Sequence, residues 1–316
     1  MKSKDFLKDL AALSATLRAN IEAHYAGWDD SASAIAARIQ AVNDPVSGFE
    51  YFVANYFPHY VRHPEKSDLH RYLFERLPRI LASPSSELDA IAAPRGEAKS
   101  TIVTQLYTLY CIITGRKRYI LLVMESIDQA YPMLEAIKTE LSANPRLAID
   151  FPNVAGGGRV WQAGTIVTGN NIKVQVAGSG KKLRGLRHGA YRPDLVILDD
   201  LENDEQVLSP TQRDKLHGWL KRTVLPLGAA GEKMDVVYIG TILHYDSVLA
   251  RTLANSGWTT ARFKAVIRWP DNMALWDEWE ARWQTDRDAA DRYYAEHQAE
   301  MDQGAVVSWS ARPILE

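Results

Sequence analysis

Residues 88–101, Leu88-Asp89-Ala90-Ile91-Ala92-Ala93-Pro94-Arg95-Gly96-Glu97-Ala98-Lys99-Ser100-Thr101, decide the fold. Leu88–Ala93 is a mostly apolar run of strand length, Pro94-Arg95-Gly96 is turn chemistry, and the pattern predicts a helix from about Lys99 to Thr114. Downstream, Tyr119–Met124 is apolar throughout and a helix is predicted over residues 126–143. Strand-like segments recur at 165–167, 172–176, 195–198, 236–239 and 259–266, with helices over 210–224 and 247–256. Strands that are apolar on both sides and alternate with helices need cover on both faces, which predicts a mostly parallel α/β sheet.

Upstream, Phe6, Leu7, Leu10, Leu13, Leu17 and Ile21 recur at helical spacing, and further helices are predicted over 32–42 and 67–81. Between them, Phe49, Tyr51, Phe52, Tyr56, Phe57 and Tyr60 have mixed spacing, and packing against the main domain is their expected role. Beyond residue 268 the chain becomes acidic and Trp-rich, with Trp269, Trp276, Trp279 and Trp283 suggesting a helical hairpin. The expected division is a helical subdomain over 1–85, a sheet domain over 86–268 and a helical tail over 269–316.

With 316 residues, 46% hydrophobic and 24% charged, the chain is not disordered, collagen-like or disulfide-stapled. Its one cysteine, Cys111, lies in an apolar run and is expected to be a buried thiol. There is no secretory pattern after Met1-Lys2-Ser3-Lys4, and no run nears the ~20 apolar residues of a membrane span, so a soluble, intracellular protein is expected. The net charge of −2 gives no global sign of a nucleic-acid partner, but it is a cancellation. Residues 151–193 contain seven basic side chains and no acid, residues 194–205 contain six carboxylates and no base, and 271–302 hold ten acids against three arginines.

Three constellations carry chemistry. Pro94–Thr101 lies between strand and helix and ends in Lys99-Ser100, as does the phosphate-binding pattern G-x-x-x-x-G-K-[ST]. Ala93 and Ala98 stand where both outer glycines are expected, leaving Gly96 as the unrestricted position from which backbone N–H groups can turn toward phosphate oxygens. A hundred residues past Lys99, the strand Leu195–Leu198 ends in Asp199-Asp200, paired carboxylates that are costly without a cation nearby. In phosphoryl transfer one such acid holds magnesium and the next polarises the attacking water. The strand Val236–Ile239 ends in Gly240-Thr241, a small polar terminus suited to sensing a terminal phosphate. Gly178-Ser179-Gly180-Lys181-Lys182 imitates a phosphate loop but lacks the first glycine and the hydroxyl after the lysine, so a basic loop is expected. The scattered His70, His188, His217 and His244 have no metal-ligand spacing, and Ser308 and Ser310 lack a nucleophile-elbow setting.

Taken in order, Ala-Pro-Arg-Gly-x-Ala-Lys-Ser-Thr (93–101), Leu-Arg-Gly-Leu-Arg (183–187), Arg-Pro-Asp-Leu-Val-Ile-Leu-Asp-Asp-Leu-Glu-Asn (192–203) and Tyr-Ile-Gly-Thr (238–241) resemble the large terminase subunit of tailed bacteriophages, over about residues 50–270. The resemblance implies a P-loop NTPase fold of RecA/ASCE type, with ATP and Mg²⁺ as cofactors and double-stranded DNA as the translocated partner. It implies that Pro94, Arg95, Gly96, Glu97, Ala98, Lys99, Ser100 and Thr101 line the nucleotide, with Ser100 and Asp199 as magnesium ligands. Asp200 takes the position of the catalytic carboxylate, usually Glu in that family, with Glu202 as rival. Arg95 is implied as a cis arginine and Thr241 as the residue coupling hydrolysis to movement. A neighbouring subunit could supply Arg184, Arg187, Arg213 or Arg222. Lys181, Lys182, Arg184 and Arg187 could meet DNA backbone, or serve the nucleotide site or an adjacent subunit. The adenine pocket is expected around Tyr60–Tyr72, with His70 and Arg71 as candidates. Further implications are a homo-oligomeric ring on assembly, monomer in solution staying open, with portal protein and small terminase subunit as partners, no membrane, and the host-cell cytoplasm as location. That family also carries a C-terminal nuclease; the fifty or so residues after Val266 are too few for one, so an ATPase without its nuclease is expected, as a truncated form or from a split gene.

Overall fold

The computed structural model describes residues 4–25, 27–312 and 314. Before the first strand come helices α1 (Lys4–Ala23), α2 (Ala32–Val42), α3 (Gly48–Tyr56) and α4 (Asp68–Ala82). Ser31 caps α2 by accepting from the Ala34 amide. The aromatic segment forms α3: its period is helical once Phe49, Phe52, Val53 and Tyr56 are taken as the buried side. Phe49 and Phe52 lie with ring centroids 5.2 and 5.6 Å from Tyr110, so the segment is part of the core that covers the sheet domain.

The sheet has eight strands: β1 (Leu88–Ala92), β2 (Tyr119–Met124), β3 (Val160–Trp161), β4 (Thr165–Val167), β5 (Lys173–Gly178), β6 (Leu195–Asp199), β7 (Asp235–Gly240) and β8 (Thr259–Arg262). Their spatial order is β3-β4-β5-β2-β6-β7-β1-β8. The six from β5 to β8 are parallel, and β3 and β4 add an antiparallel edge. All six residues of β2 and of β7 are buried, the signature of strands covered on both faces.

One face is packed by α8 (Pro210–Trp219) and α9 (Val248–Leu253), numbered after α5 (Tyr107–Thr114), α6 (Ile127–Ala143) and α7 (Pro145–Asp150). Leu216, Trp219, Leu249 and Leu253 meet Leu121, Val123, Val196, Leu198, Val236 and Tyr238 there. Outside that cluster, α6 packs against β2 and β5. Most helix starts carry a local cause: Ser126, Ser209 and Ser247 each accept an amide of the first turn, and Pro210 occupies the first turn of α8. At the other end, α5 stops at Gly115, which takes φ +67.

The helices expected over 99–114 and 210–224 are each continuous in sequence but not uniform in winding. Thr101–Leu106 and Leu220–Val224 are π-wound, with Tyr107 N donating to Ile102 O and Leu225 N to Leu220 O. The strand expected over 259–266 is split. Thr259–Arg262 pairs with β1, whereas β9 (Val266–Arg268) pairs antiparallel with β10 (Val306–Val307). Periodicity shows that a segment is extended, but its partner lies elsewhere in the chain.

The chain forms two compact units. One comprises the residues up to Arg62 and Tyr72–Arg262, so α1–α3 belong with the sheet; the other comprises His63–Arg71 and the chain from Phe263 onward. In the second unit, α10 (Met273–Trp283) and α11 (Arg287–Met301) form the hairpin foreseen from the tryptophans, with Trp276 Nε1 donating to Met301 O at 2.7 Å. No described helix is long and apolar enough to cross a membrane.

Candidate active site

Register places the site. Met124 faces Asp199, Asp199 faces Ile239, and Gly240 faces Ala92, so the C-terminal ends of β2, β6, β7 and β1 stand in one row. Because β7 lies between β1 and β6, the loop after β1 and the carboxylates after β6 are two strand spacings apart, about 10 Å. Long side chains close that gap over the end of β7. Gly240 makes the approach possible: a Cβ there would stand 3.1 Å from Asp200 Oδ1.

The loop Pro94–Ala98 departs from the ladder after Ala93 N donates to Gly240 O, and the helix begins where Ile102 N donates to Ala98 O. Gly96 has φ +85, which suits glycine, but Ala98 has φ +51, a left-handed conformation that costs a residue with a Cβ. The sequence departure at 98 is therefore a difference of residue and not of backbone: alanine adopts the conformation a glycine would take. Successive left-handed and helical residues turn N–H groups to one side and make an anion-binding concavity.

Lys99, 7% exposed, extends from this loop to residues of two other loops. Its Nζ lies 3.0 Å from Asp200 Oδ2 and donates to Thr241 Oγ1 at 3.2 Å. Asp200 itself takes φ +41, with Oδ1 accepting from Thr241 N at 2.9 Å. Lys99, Asp200 and Thr241 thus form a closed polar circuit. Ser100 Oγ donates to Asp199 Oδ1 at 3.0 Å and Thr104 Oγ1 to Asp199 Oδ2 at 2.7 Å. Burial pushes the Asp199 carboxyl up to about 6, with the neighbouring Asp200 charge adding to the rise and the Thr104 and Ser100 hydroxyls opposing it.

Ser100 and Asp199 supply hard oxygen donors side by side, the chemistry a magnesium ion accepts. No group of three or more His, Cys, Asp or Glu side chains fit to hold a metal occurs among the described residues. Two such oxygens would leave most of a six-coordinate shell to water and phosphate, the pattern magnesium favours.

The structure brings Lys99, Ser100, Asp199, Asp200 and Thr241 together and places the other expected residues differently. Glu202 accepts from the amides of Val248 at 2.8 Å and Leu249 at 3.2 Å, so both oxygens hold the first turn of α9. Burial raises its carboxyl above the ordinary value against those amide bonds. Arg95 is exposed, with Nη2 3.4 Å from Asp204 Oδ2. Arg213 is buried in an ion pair with Asp246 at 3.0 Å, and also donates to Val207 O. Lys181, Lys182, Arg184 and Arg187 are all exposed, but not as one cluster. The segment containing them leaves the end of β5, where Trp219 Nε1 donates to Lys181 O, and returns to its start, where Lys173 Nζ donates to Arg187 O. Six residues of strand, about 20 Å, separate those points. Of the adenine candidates, Tyr60 lies in the first unit and accepts from Gln105 Nε2 at 2.5 Å. His70 and Arg71 lie in the second, where the His70 ring is 5.0 Å from Trp309 and Arg71 pairs with Asp68 at 2.9 Å. Thr104 was not singled out from sequence, although its place four residues after Ser100 puts both on one helix face.

Fold and site together define an α/β protein with a mostly parallel sheet, in which one strand separates the strand that bears the 94–98 loop from the strand that ends in the paired carboxylates. No family model matches the sequence, and no curated protein matches it. Among solved structures, the chain is similar to the crystal structure of the HK97 bacteriophage large terminase, with a TM-score of 0.46 and 13% identity over 83% of this chain and 54% of that one. The chain thus spans about half the length of that neighbour.

Proposed function

We propose that this chain is the ATPase motor domain of a viral large terminase, hydrolysing ATP with Mg²⁺ to translocate double-stranded DNA into a procapsid. The observation that carries the nucleotide half is the meeting of Lys99, Ser100, Asp199, Asp200 and Thr241 from three separated loops at one sheet edge. The terminase half is supported by the four ordered motifs at 93–101, 183–187, 192–203 and 238–241.

In this proposal the 94–98 loop holds phosphates through its amides, and the Lys99 ammonium turns from Asp200 to the β- and γ-phosphates. Ser100 and Asp199 hold magnesium, which when bound neutralises charge developing on the phosphate oxygens. Asp200 orients the attacking water; Glu202 is the weaker candidate because its oxygens are engaged at α9. Thr241 links the phosphate end of the site to the segment leading into α9. Arg95 can swing to a phosphate from its exposed pair with Asp204, and Arg184, Arg187 and Arg222, exposed, are the candidates for action across a ring, Arg213 being committed to Asp246. Portal protein and small terminase subunit are the proposed partners, and the host-cell cytoplasm the proposed location.

Steady-state ATP hydrolysis, alone and with double-stranded DNA, tests the proposal; DNA is expected to stimulate turnover without strand separation. Unwinding of a forked duplex would instead indicate a helicase-like motor. A second reading, a nucleotide-binding scaffold that hydrolyses little, is favoured by the strained Ala98 and by Asp200 standing where a longer Glu is usual. Tight nucleotide binding with negligible turnover, with or without DNA, would select it.

A further inference from the structure

Thr104 is fully buried on the π-wound turn that follows the phosphate loop. A threonine within a helix ordinarily satisfies its hydroxyl on the carbonyl four residues earlier. Thr114 and Thr139 do so, donating to Tyr110 O at 2.7 Å and to Glu135 O at 2.9 Å. Thr108, one turn beyond Thr104, finds no partner for its buried hydroxyl. Thr104 does neither: it reaches out of its helix to the end of β6 and donates to Asp199 Oδ2 at 2.7 Å.

That bond divides the carboxylate. Ser100 holds Oδ1 at 3.0 Å and Thr104 holds Oδ2, so rotation about the Cβ–Cγ bond of Asp199 would break two hydrogen bonds at once. The oxygen beside Ser100 is the one that can meet a cation together with the serine hydroxyl, since Ser100 can donate its proton to Oδ1 while a lone pair of Oγ faces the metal. The oxygen beside Thr104 is turned into the helix. Removing a group that orients a metal-ligating side chain typically costs about 10–100-fold in metal affinity.

We propose that Thr104 is a positioning residue, which fixes Asp199 Oδ2 so that Oδ1 stays turned toward Ser100 and the cation. The inference rests on the nucleotide-and-magnesium function proposed above, and adds a residue to it. Thr104 touches neither nucleotide nor ion; its effect passes through Asp199.

The test is binding of a fluorescent ADP analogue to the full chain, titrated with Mg²⁺ and repeated in EDTA, with no turnover needed. Thr104→Val keeps the shape and removes the hydroxyl. It is expected to raise the Mg²⁺ concentration for the half-maximal effect about tenfold while leaving affinity in EDTA unchanged. Thr104→Ser, which retains the hydroxyl, is expected to keep the wild-type midpoint. A Thr104→Val protein with a wild-type Mg²⁺ midpoint, or one that loses affinity equally in EDTA, would overturn the inference. If the valine variant does not fold, Thr104→Ala replaces it, and equal midpoints for alanine and serine would be equally damaging. Wild-type protein that binds no nucleotide refutes the proposed function itself, whereas wild-type binding with an unshifted variant refutes the positioning role alone.

Discussion

Ala98→Gly is expected to stabilise the protein, at the position where the sequence departs most from a glycine-rich loop. Ala98 sits at φ +51 and its methyl group is exposed, so removing it sacrifices little packing. A left-handed residue with a Cβ is strained by roughly 1–2 kcal/mol. Glycine removes that strain but adds freedom to the unfolded chain, at a cost of about 0.4–1 kcal/mol. The balance is a gain of about 1 kcal/mol, or about 2–4 °C in the melting temperature of a unit of some 250 residues. Ala98→Val is the opposing variant, because a β-branched residue tolerates positive φ least, and it should lose at least as much as glycine gains. Thermal and urea unfolding of the three proteins in the same buffer measure both. An unchanged or lowered stability for Ala98→Gly, or a neutral Ala98→Val, would show that residue 98 is not held left-handed in solution. The phosphate-cradle reading of the loop would then lose its geometric basis.

Lys99→Ala should abolish ATP hydrolysis, measured by phosphate release, while leaving far-ultraviolet circular dichroism unchanged; wild-type turnover in it would sink the proposed mechanism. The two candidate carboxylates part company by assay. Asp200→Asn should cut turnover by at least a hundredfold, of the order general-base loss causes, whereas Glu202→Ala should retain much of the rate and lower stability by about 1–2 kcal/mol through loss of the acceptors for the Val248 and Leu249 amides; the reverse pattern would transfer the catalytic role to Glu202. Asp150→Asn probes the anchor of the N-terminal helices, where the buried carboxylate takes hydrogen bonds from Arg38, Tyr56 and Trp28. Breaking this buried pair should cost about 3 kcal/mol at neutral pH. Burial works to raise the Asp150 carboxyl, but those partners prevail and hold it below its ordinary 3.8, so its stabilisation is present above that value and lost as pH falls through the lowered one. Urea unfolding from pH 7 to 3 should show the gap between wild type and variant closing in acid, and a gap independent of pH would refute the assignment.

Much of the sheet is legible in the sequence because its central strands are buried on both faces. Continuous apolar runs such as Tyr119–Met124 and Leu195–Leu198 have no solvent side to alternate with, and the structure finds β2 and β6 there. The strand at 160–161 is less transparent, since β3 has two residues and is held only by antiparallel pairing to β4, whereas β4 and β5 lie where strand-like segments are read at 165–167 and 172–176. Aromatic α3 is obscured for another reason: Tyr51 off its buried side, and Phe57 and Tyr60 beyond its end, mask the stripe of Phe49, Phe52, Val53 and Tyr56. Lys99, Ser100, Asp199, Asp200 and Thr241 are legible as motifs because each ends or follows a strand.

By itself the sequence determined the local elements, the order of the motifs and the opposition of basic and acidic segments, all properties of neighbours along the chain. Only the tertiary structure decided which carboxylate meets Lys99 and which caps a helix: Asp200 and Glu202 are two residues apart, and a left-handed turn at Asp200 directs one into the site while α9 takes the other. It also decided that the basic residues of 181–187 lie toward opposite ends of β5, and that Thr104 faces Asp199. Such outcomes depend on strand order and register, which bring residues a hundred positions apart within hydrogen-bonding distance and which no window of sequence contains.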